Sequence, residues 1–171
     1  MKILIVIFII FNGFVSLSQN ITFSLKKEKL TSVPDTVFQK TLITELNLSK
    51  NKLTSLSPSI KNLNKLEVLN ISSNKIKSLP VEICQLENLK ELIFYKNQII
   101  ELPSCLSNLK KLELIDGWGN DISDVYEILS PLKSLKKVEL QVNPIKLDEQ
   151  NKISARLPQT SFKFSSDCGC R

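Results

Sequence analysis

The chain of 171 residues contains no histidine, only four glycines and a single methionine. Without an imidazole, the sequence excludes Ser-His-Asp and Cys-His nucleophilic sites, histidine-ligated zinc and HExxH metal helices. The glycines are too sparse to build a GxGxxG or GxxxxGKS phosphate-binding loop. These absences exclude most common hydrolase mechanisms and the usual nucleotide-binding enzymes, so we expect no cofactor and no metal.

The overall composition is that of an ordinary globular protein. Apolar residues make up 42% of the chain, charged residues 23%, and the formal net charge is +6. This length and balance predict one domain. The mild positive charge suits an anionic partner without requiring one.

The N-terminal segment has the features of an export signal. Residues 3–11 form an unbroken apolar run behind Lys2, and Ser16 and Ser18 place small side chains before a cleavage site after Ser18. The run is shorter than the roughly 18 apolar residues needed to span a membrane. We predict a signal peptide over 1–18, a secreted or periplasmic protein and no stable membrane span after cleavage. The alternative is a membrane anchor.

A period of 23 residues organises the rest of the chain. Each of the rows starting at Ile43, Leu66, Leu89, Leu112 and Leu135 has asparagine at position 9 and apolar residues at positions 1 and 4, and four successive complete rows fill all seven apolar positions except at Gly117. Alternation around position 4 predicts a short strand with one buried face. Because one such coil cannot bury its own apolar edge, the coils must stack on one another.

The pattern LxxLxLxxNxL followed by LPxxIxxL resembles the leucine-rich repeat of the 23-residue kind over about 20–145. The resemblance, which extends to small secreted bacterial leucine-rich repeat proteins, implies an α/β solenoid. In that fold a curved right-handed stack of coils carries a parallel β-sheet on its concave face and short 3₁₀ or helical returns on its convex face. The position 9 asparagines are expected to form a structural ladder that pairs backbone groups at the turns: Asn51, Asn74, Asn97, Asn120 and Asn143.

The ends of the repeat array differ from its middle. We expect a degenerate capping repeat over 19–42, regular repeats over 43–145 and a C-terminal cap over 146–164. The cap should contain a helix from Leu147 to Leu157, with acidic residues first and basic residues last, and a strand at Phe162–Phe164. A flexible Cys-Gly-Cys tail is expected over 165–171.

Large side chains on the predicted concave face indicate where a partner binds. The earlier rows present small polar groups at positions 5 and 7, whereas the later rows present the candidate protein-binding residues Ile93, Tyr95, Leu114, Asp116, Trp118, Glu139 and Gln141. Exposed tyrosine and tryptophan are typical anchors of protein interfaces. The alternative for Trp118 is that its ring turns inward and fills the space left by Gly117.

A run of lysines is predicted beside the strands, at positions 8 and 10 of successive rows: Lys27, Lys29, Lys50, Lys52, Lys75 and Lys96. Coils separated by roughly 4.8 Å would place these ammonium groups within a Debye length of one another. The rim could bind an anionic glycan or another polyanion, or it could simply be a solvated edge. Nucleic acid is not expected, because the rim lacks arginine and interleaved aromatic residues.

The four cysteines permit three pairings, which the sequence does not distinguish. Cys84 and Cys105 lie in adjacent rows, but a position offset of two makes their bond marginal. Cys168 and Cys170 supply too few ligands for a structural zinc site. Nothing isolates the carboxylates of Asp116 and Glu139 as an acid and base pair.

We therefore expect a non-enzymatic secreted module, monomeric, that recognises a protein through its concave face. Two alternatives are binding of an anionic glycan or polyanion by the lysine rim, and an adhesion or virulence factor similar to the internalins.

Overall fold

A computed structural model describes residues 20–165 of the chain. The predicted signal peptide and the cysteines of the Cys-Gly-Cys tail lie outside the described residues. No helix within 20–165 combines the length and apolarity needed to cross a membrane.

Seven three-residue strands form one parallel sheet in strict chain order. Neighbouring strands are offset by one repeat, so equivalent side chains stack in columns, as Leu46, Leu69 and Leu92 do. The central residue of each of the five inner strands is buried and its two neighbours are half-buried, as the alternation predicted. The strands are β1 (Thr22–Ser24), β2 (Glu45–Asn47), β3 (Val68–Asn70), β4 (Glu91–Ile93), β5 (Leu114–Asp116), β6 (Lys137–Glu139) and β7 (Ser161–Lys163).

Short helical returns connect the strands. Four are 3₁₀ helices, at Asp35–Val37, Pro58–Asn62, Val81–Gln85 and Ser104–Asn108, and one is the single-turn α-helix α1 at Tyr126–Leu129. Proline precedes three of the 3₁₀ helices, where its fixed φ suits the extended residue before the turn. The parallel sheet, the short returns and their alternation confirm the predicted leucine-rich repeat solenoid.

The core runs as one continuous apolar column between the sheet and the returns. Among the core positions of the repeat, position 6 has the most varied side chains. Phe94 at this position occupies the space that Gly117 leaves in the next coil. A Cβ atom built on Gly117 would lie 2.5 Å from two carbons of the Phe94 ring. The large and small residues of adjacent coils therefore complement each other at this point of the core.

The C-terminal end carries the helix α2 (Leu147–Arg156), one residue shorter than the predicted segment. Strand β7 begins and ends one residue earlier than expected. Glu149 of α2 also reaches the preceding coil, where its Oε1 accepts hydrogen bonds from the backbone N–H groups of Val125 (3.1 Å) and Tyr126 (2.6 Å). This carboxylate thus satisfies two N–H groups at the start of α1, a contact that the sequence pattern did not reveal.

Cys84 and Cys105 form a disulfide between two neighbouring 3₁₀ helices. The offset of two positions that made this bond marginal in the sequence amounts to about 4 Å along a 3₁₀ helix, because each residue rises about 2 Å. The Cα atoms lie 5.8 Å apart, which a disulfide can span.

Candidate functional site

The seven residues predicted to bind protein lie together on β4, β5 and β6 and on the turns that follow them. We call this set (Ile93, Tyr95, Leu114, Asp116, Trp118, Glu139 and Gln141) the concave patch. Register places Ile93 beside Asp116 and Asp116 beside Glu139. All seven side chains are half-buried, so they combine accessible surface with fixed positions.

Tyr95 and Trp118, on the turns after β4 and β5, form an aromatic pair within the concave patch. Their ring centroids are 6.4 Å apart and the ring planes are inclined by 59°. The Nζ atom of Lys96 lies over the Trp118 ring, 4.8 Å from its centroid. These contacts help to orient the half-buried indole, because an inclined aromatic pair and a cation over a ring are both favourable arrangements.

The Trp118 side chain does not fill the core space beside Gly117. The Phe94 ring fills that space and is fully buried, whereas Trp118 is half-buried on the sheet face. The alternative in which Trp118 repairs the core is therefore wrong. Core packing gives no reason for a tryptophan at this position.

Position 7 is not an exposed column along the whole sheet. Ser49 and Ser72 at this position are buried, contrary to the expectation that they present small polar groups. The hydroxyl of Ser72 donates to Oδ1 of Asn70 at 2.7 Å, which holds the short side chain against the turn. Tyr95 and Trp118, at the same position of the next two coils, are half-buried.

Asp116 and Glu139 lie side by side but in different electrostatic surroundings. Glu139 Oε1 is 2.7 Å from Nζ of Lys163 and 2.9 Å from Nζ of Lys137. Hydrogen bonds from these two lysines, Lys163 first, lower the pKa of Glu139. Burial raises the pKa of Asp116, whose Oδ1 accepts one long hydrogen bond, 3.4 Å, from the Trp118 backbone N–H. The two lysines neutralise the Glu139 carboxylate, whereas the Asp116 carboxylate has no ion pair within the described residues.

Gln141 completes the concave patch on the side of β6. Its Oε1 atom is buried and has no hydrogen-bond partner among the described residues. This acceptor lies at the same repeat position as Trp118, one coil further along.

The position 9 asparagines form a continuous ladder of hydrogen bonds. In each of the five, Oδ1 accepts the N–H at position 11 of the preceding coil at 3.0 Å, for example Leu53 N–H to Asn74. Nδ2 donates to position 6 carbonyls of its own coil and of the preceding one, as Asn120 does to Gly117 and Phe94. Every ladder residue thus joins two coils through groups that the turn would otherwise leave unpaired.

All six lysines of the predicted rim are exposed, and none makes an ion pair within residues 20–165. Lys27, Lys50 and Lys96 occupy position 8, where the backbone is left-handed with φ between 54° and 66°. Lys29 has the same backbone conformation. The sequence pattern did not reveal this constraint, although Gly119 at the equivalent position of a later coil was a signal for it.

Both the sequence and the fold of the chain resemble those of known proteins. The family model described as "Leucine-rich repeat region" matches residues 42–160. No curated protein matches the chain.

Solved structures with the same fold are numerous. A leucine-rich repeat protein of Leptospira interrogans is 27% identical, with a TM-score of 0.63, over 80% of this chain and 41% of that one. The functional domain of InlJ from Listeria monocytogenes, described as including a cysteine ladder, is 24% identical, with a TM-score of 0.62, over 80% and 32%. TLR13 in complex with ssRNA13 is 24% identical, with a TM-score of 0.71, over 86% and 22%.

The chain thus corresponds to about two fifths or less of the length of each of these structures. The asparagine ladder and the parallel sheet fit a leucine-rich repeat, and the family model matches residues 42–160. The chain therefore belongs to the leucine-rich repeat family.

Proposed function

We propose that this protein is a non-enzymatic binding module that recognises a protein partner through the concave patch. The leucine-rich repeat fold itself suggests a protein-protein interaction module. The observation that supports the site is the Tyr95–Trp118 pair, which stands on the sheet face although Phe94 already fills the core beside it.

The energetics of interfaces favour this patch as an anchor. Tryptophan and tyrosine supply large contact areas at small conformational cost and are enriched among residues that dominate binding energy. Ile93 and Leu114 add apolar area beside them, and Asp116 and Glu139 add charge. The polar early strands, with Asn47 and Asn70 at position 5, would then form the rim of the interface rather than its centre.

The experiment is capture of a partner by the immobilised chain, residues 19–171, beside a Tyr95→Ala/Trp118→Ala variant. Val81→Ala/Ile100→Ala is the matched control, because it removes apolar side chains that are 65% and 62% exposed elsewhere. Circular dichroism establishes that all three fold. Loss of one captured protein in the aromatic variant alone supports the proposal, and equal capture by all three contradicts it.

A second candidate function is binding of an anionic glycan by the lysine rim. It is supported by the absence of acidic partners for these lysines within 20–165. The left-handed backbone at position 8 does not single out these lysines, because Ser73 and Val142 adopt it at the same position in other coils.

A salt series with heparin as the probe separates the two candidates. Rim binding should weaken steeply as ionic strength rises and should be lost in Lys50→Glu/Lys52→Glu. Lys61→Glu/Lys65→Glu changes the net charge equally at exposed positions outside the rim and should retain binding. Equal loss in both variants would indicate general charge attraction and contradict a rim site.

The proposed location of this module is outside the cytoplasm. The predicted signal peptide supports export, and the Cys84–Cys105 bond supports an oxidising compartment, since disulfides persist there. An adhesion role similar to that of the internalins stays an alternative within the same proposal.

A further inference from the structure

Asp116 carries a charge that its local structural role does not require. At the same position in earlier coils, Oδ1 of Asn47 accepts the Ser49 N–H at 3.0 Å and Oδ1 of Asn70 accepts the Ser72 N–H at 3.1 Å. Asp116 makes the equivalent bond to Trp118 at 3.4 Å. An amide oxygen is therefore sufficient for this turn, and the carboxylate adds only a second oxygen and a negative charge.

This charge has no partner within residues 20–165. The second carboxylate oxygen, Oδ2, makes no hydrogen bond there, and Asp116 takes part in no ion pair. The two lysines whose charges act on Asp116, Lys137 and Lys163, are both held by Glu139. Oδ2 is not among the buried atoms that lack a partner, so part of its surface is open to solvent.

On the side of β4 and along its own strand the surroundings of Asp116 are apolar and aromatic, whereas Glu139 with its two lysines lies beside it on β6. Ile93 lies beside it on β4, Leu114 precedes it by two residues and Trp118 follows it by two. Partial burial among these side chains disfavours an isolated carboxylate and strengthens its attraction for a cation that enters the same environment. Burial thus makes the charge less favourable in the free protein, Lys137 and Lys163 offset part of this cost, and a cation in direct contact would offset more of it.

We propose that Asp116 is a specificity-determining contact of the concave patch and binds an arginine side chain of the protein partner. Arginine fits better than lysine, because a guanidinium can donate two hydrogen bonds to one carboxylate while its flat face lies on apolar or aromatic side chains. Lys96 already lies over the Trp118 ring, so this ring has a cation of its own. We therefore assign the contact that recognises the arginine charge to Asp116. This inference rests on the proposed function of the concave patch.

The test uses the fluorescence of Trp118, the only tryptophan in the chain. The probes are the peptides acetyl-Leu-Arg-Leu-amide and acetyl-Leu-citrulline-Leu-amide, which differ in charge but hardly in shape. Asp116→Asn is the informative variant, since Asn47 and Asn70 show that asparagine keeps the turn bond. Glu101→Gln removes the same charge at an exposed position outside the sheet and is the control.

We expect the arginine peptide to bind at least about tenfold more tightly than the citrulline peptide. Asp116→Asn should abolish this difference, and Glu101→Gln should leave it unchanged. Equal affinities of the two peptides for the unmodified chain, an equal preference in Asp116→Asn, or no fluorescence change with either peptide up to about 10 mM overturns the proposal.

Failure of this inference is distinguishable from failure of the proposed function. If the peptides do not discriminate but Tyr95→Ala/Trp118→Ala still loses the captured protein, the patch binds its partner without an arginine contact. If capture does not depend on the aromatic pair, the proposed function fails.

Discussion

At the scale of single residues, the complementary pair Phe94 and Gly117 determines how the core closes between two coils. The Phe94 ring enters the volume that a side chain at position 117 would need, and Leu140 lies 3.0 Å from the same point. Trp118 is therefore not needed in the core and lies on the sheet face.

We predict that Gly117→Ala lowers the free energy of unfolding by about 1–3 kcal/mol, because the new Cβ forces the Phe94 ring to move. In the Phe94→Leu background the same substitution should cost much less, since the smaller side chain frees the space. Urea denaturation of the two single variants and the double variant gives the coupling energy. Additive effects would contradict direct packing between the two residues.

The two carboxylates of the concave patch should affect stability with opposite dependence on pH. The pKa of Asp116 is raised above 3.8 by burial, so its ionisation opposes folding, and the stability that its protonated form contributes is lost as pH rises through the folded pKa. Asp116→Asn should therefore be more stable than the unmodified chain at pH 7, and the difference should disappear at pH values below 3.8.

Glu139 should show the reverse behaviour. Its pKa is lowered from 4.5 by hydrogen bonds from Lys163 and Lys137, so it stabilises the fold above 4.5 and loses this contribution as pH falls through the folded pKa. Glu139→Gln should cost about 1 kcal/mol at neutral pH, because the lysines are largely exposed. Thermal unfolding from pH 2 to 7 tests both variants, and parallel pH profiles for the two would be contradictory.

Residue identities alone foretold some of these features and not others. The aromatic patch could be predicted because the 23-residue period assigns most side chains to the core or the surface, although Ser49 and Ser72 are buried at a position assigned to the surface. The residue that fills the space beside Gly117 could not be predicted. The period does not tell whether a side chain of the neighbouring coil, here Phe94, or the next residue, Trp118, occupies that space. The left-handed backbone at Lys50 and Lys96 could not be predicted either, because lysine is a usual residue at any exposed position.

At the scale of elements, strands were predictable and the contacts between returns were not. Position 4 and its neighbours fixed the strand registers, since a shift of one residue would expose every core side chain. The Glu149 contacts with the start of α1 join residues 23 and 24 positions apart and depend on how α2 lies against the preceding coil. Pairing of Cys84 with Cys105 likewise depends on the helical pitch of two neighbouring returns.

The disulfide should contribute to stability by restricting the unfolded chain. It joins residues 21 positions apart, and closing a loop of that size contributes about 3 kcal/mol in the chain-entropy account. We predict that Cys84→Ala/Cys105→Ala lowers the free energy of unfolding by about that amount. Denaturation of the unmodified chain with and without reductant provides the control: the reductant should weaken the unmodified chain and leave the variant unaffected.

At the scale of the whole molecule, the stacked coils display side chains on a surface whose columns change character along the solenoid. The first coils present Asn47 and Asn70, the middle coils present Tyr95 and Trp118, and the last coils present Glu139 with its two lysines. The asparagine ladder and the core maintain this surface without contributing to its specificity. Such a division allows the face to vary while the fold stays constant.

The concave patch is proposed to bind the partner through its aromatic pair. The measurement that tests it most directly is the Kd of the captured partner for the unmodified chain, for Tyr95→Ala/Trp118→Ala and for the Val81→Ala/Ile100→Ala control. We predict that the aromatic variant raises Kd by at least about 100-fold, the effect of losing two central anchors, and that the control leaves it unchanged. An unchanged Kd in a folded aromatic variant would contradict the account.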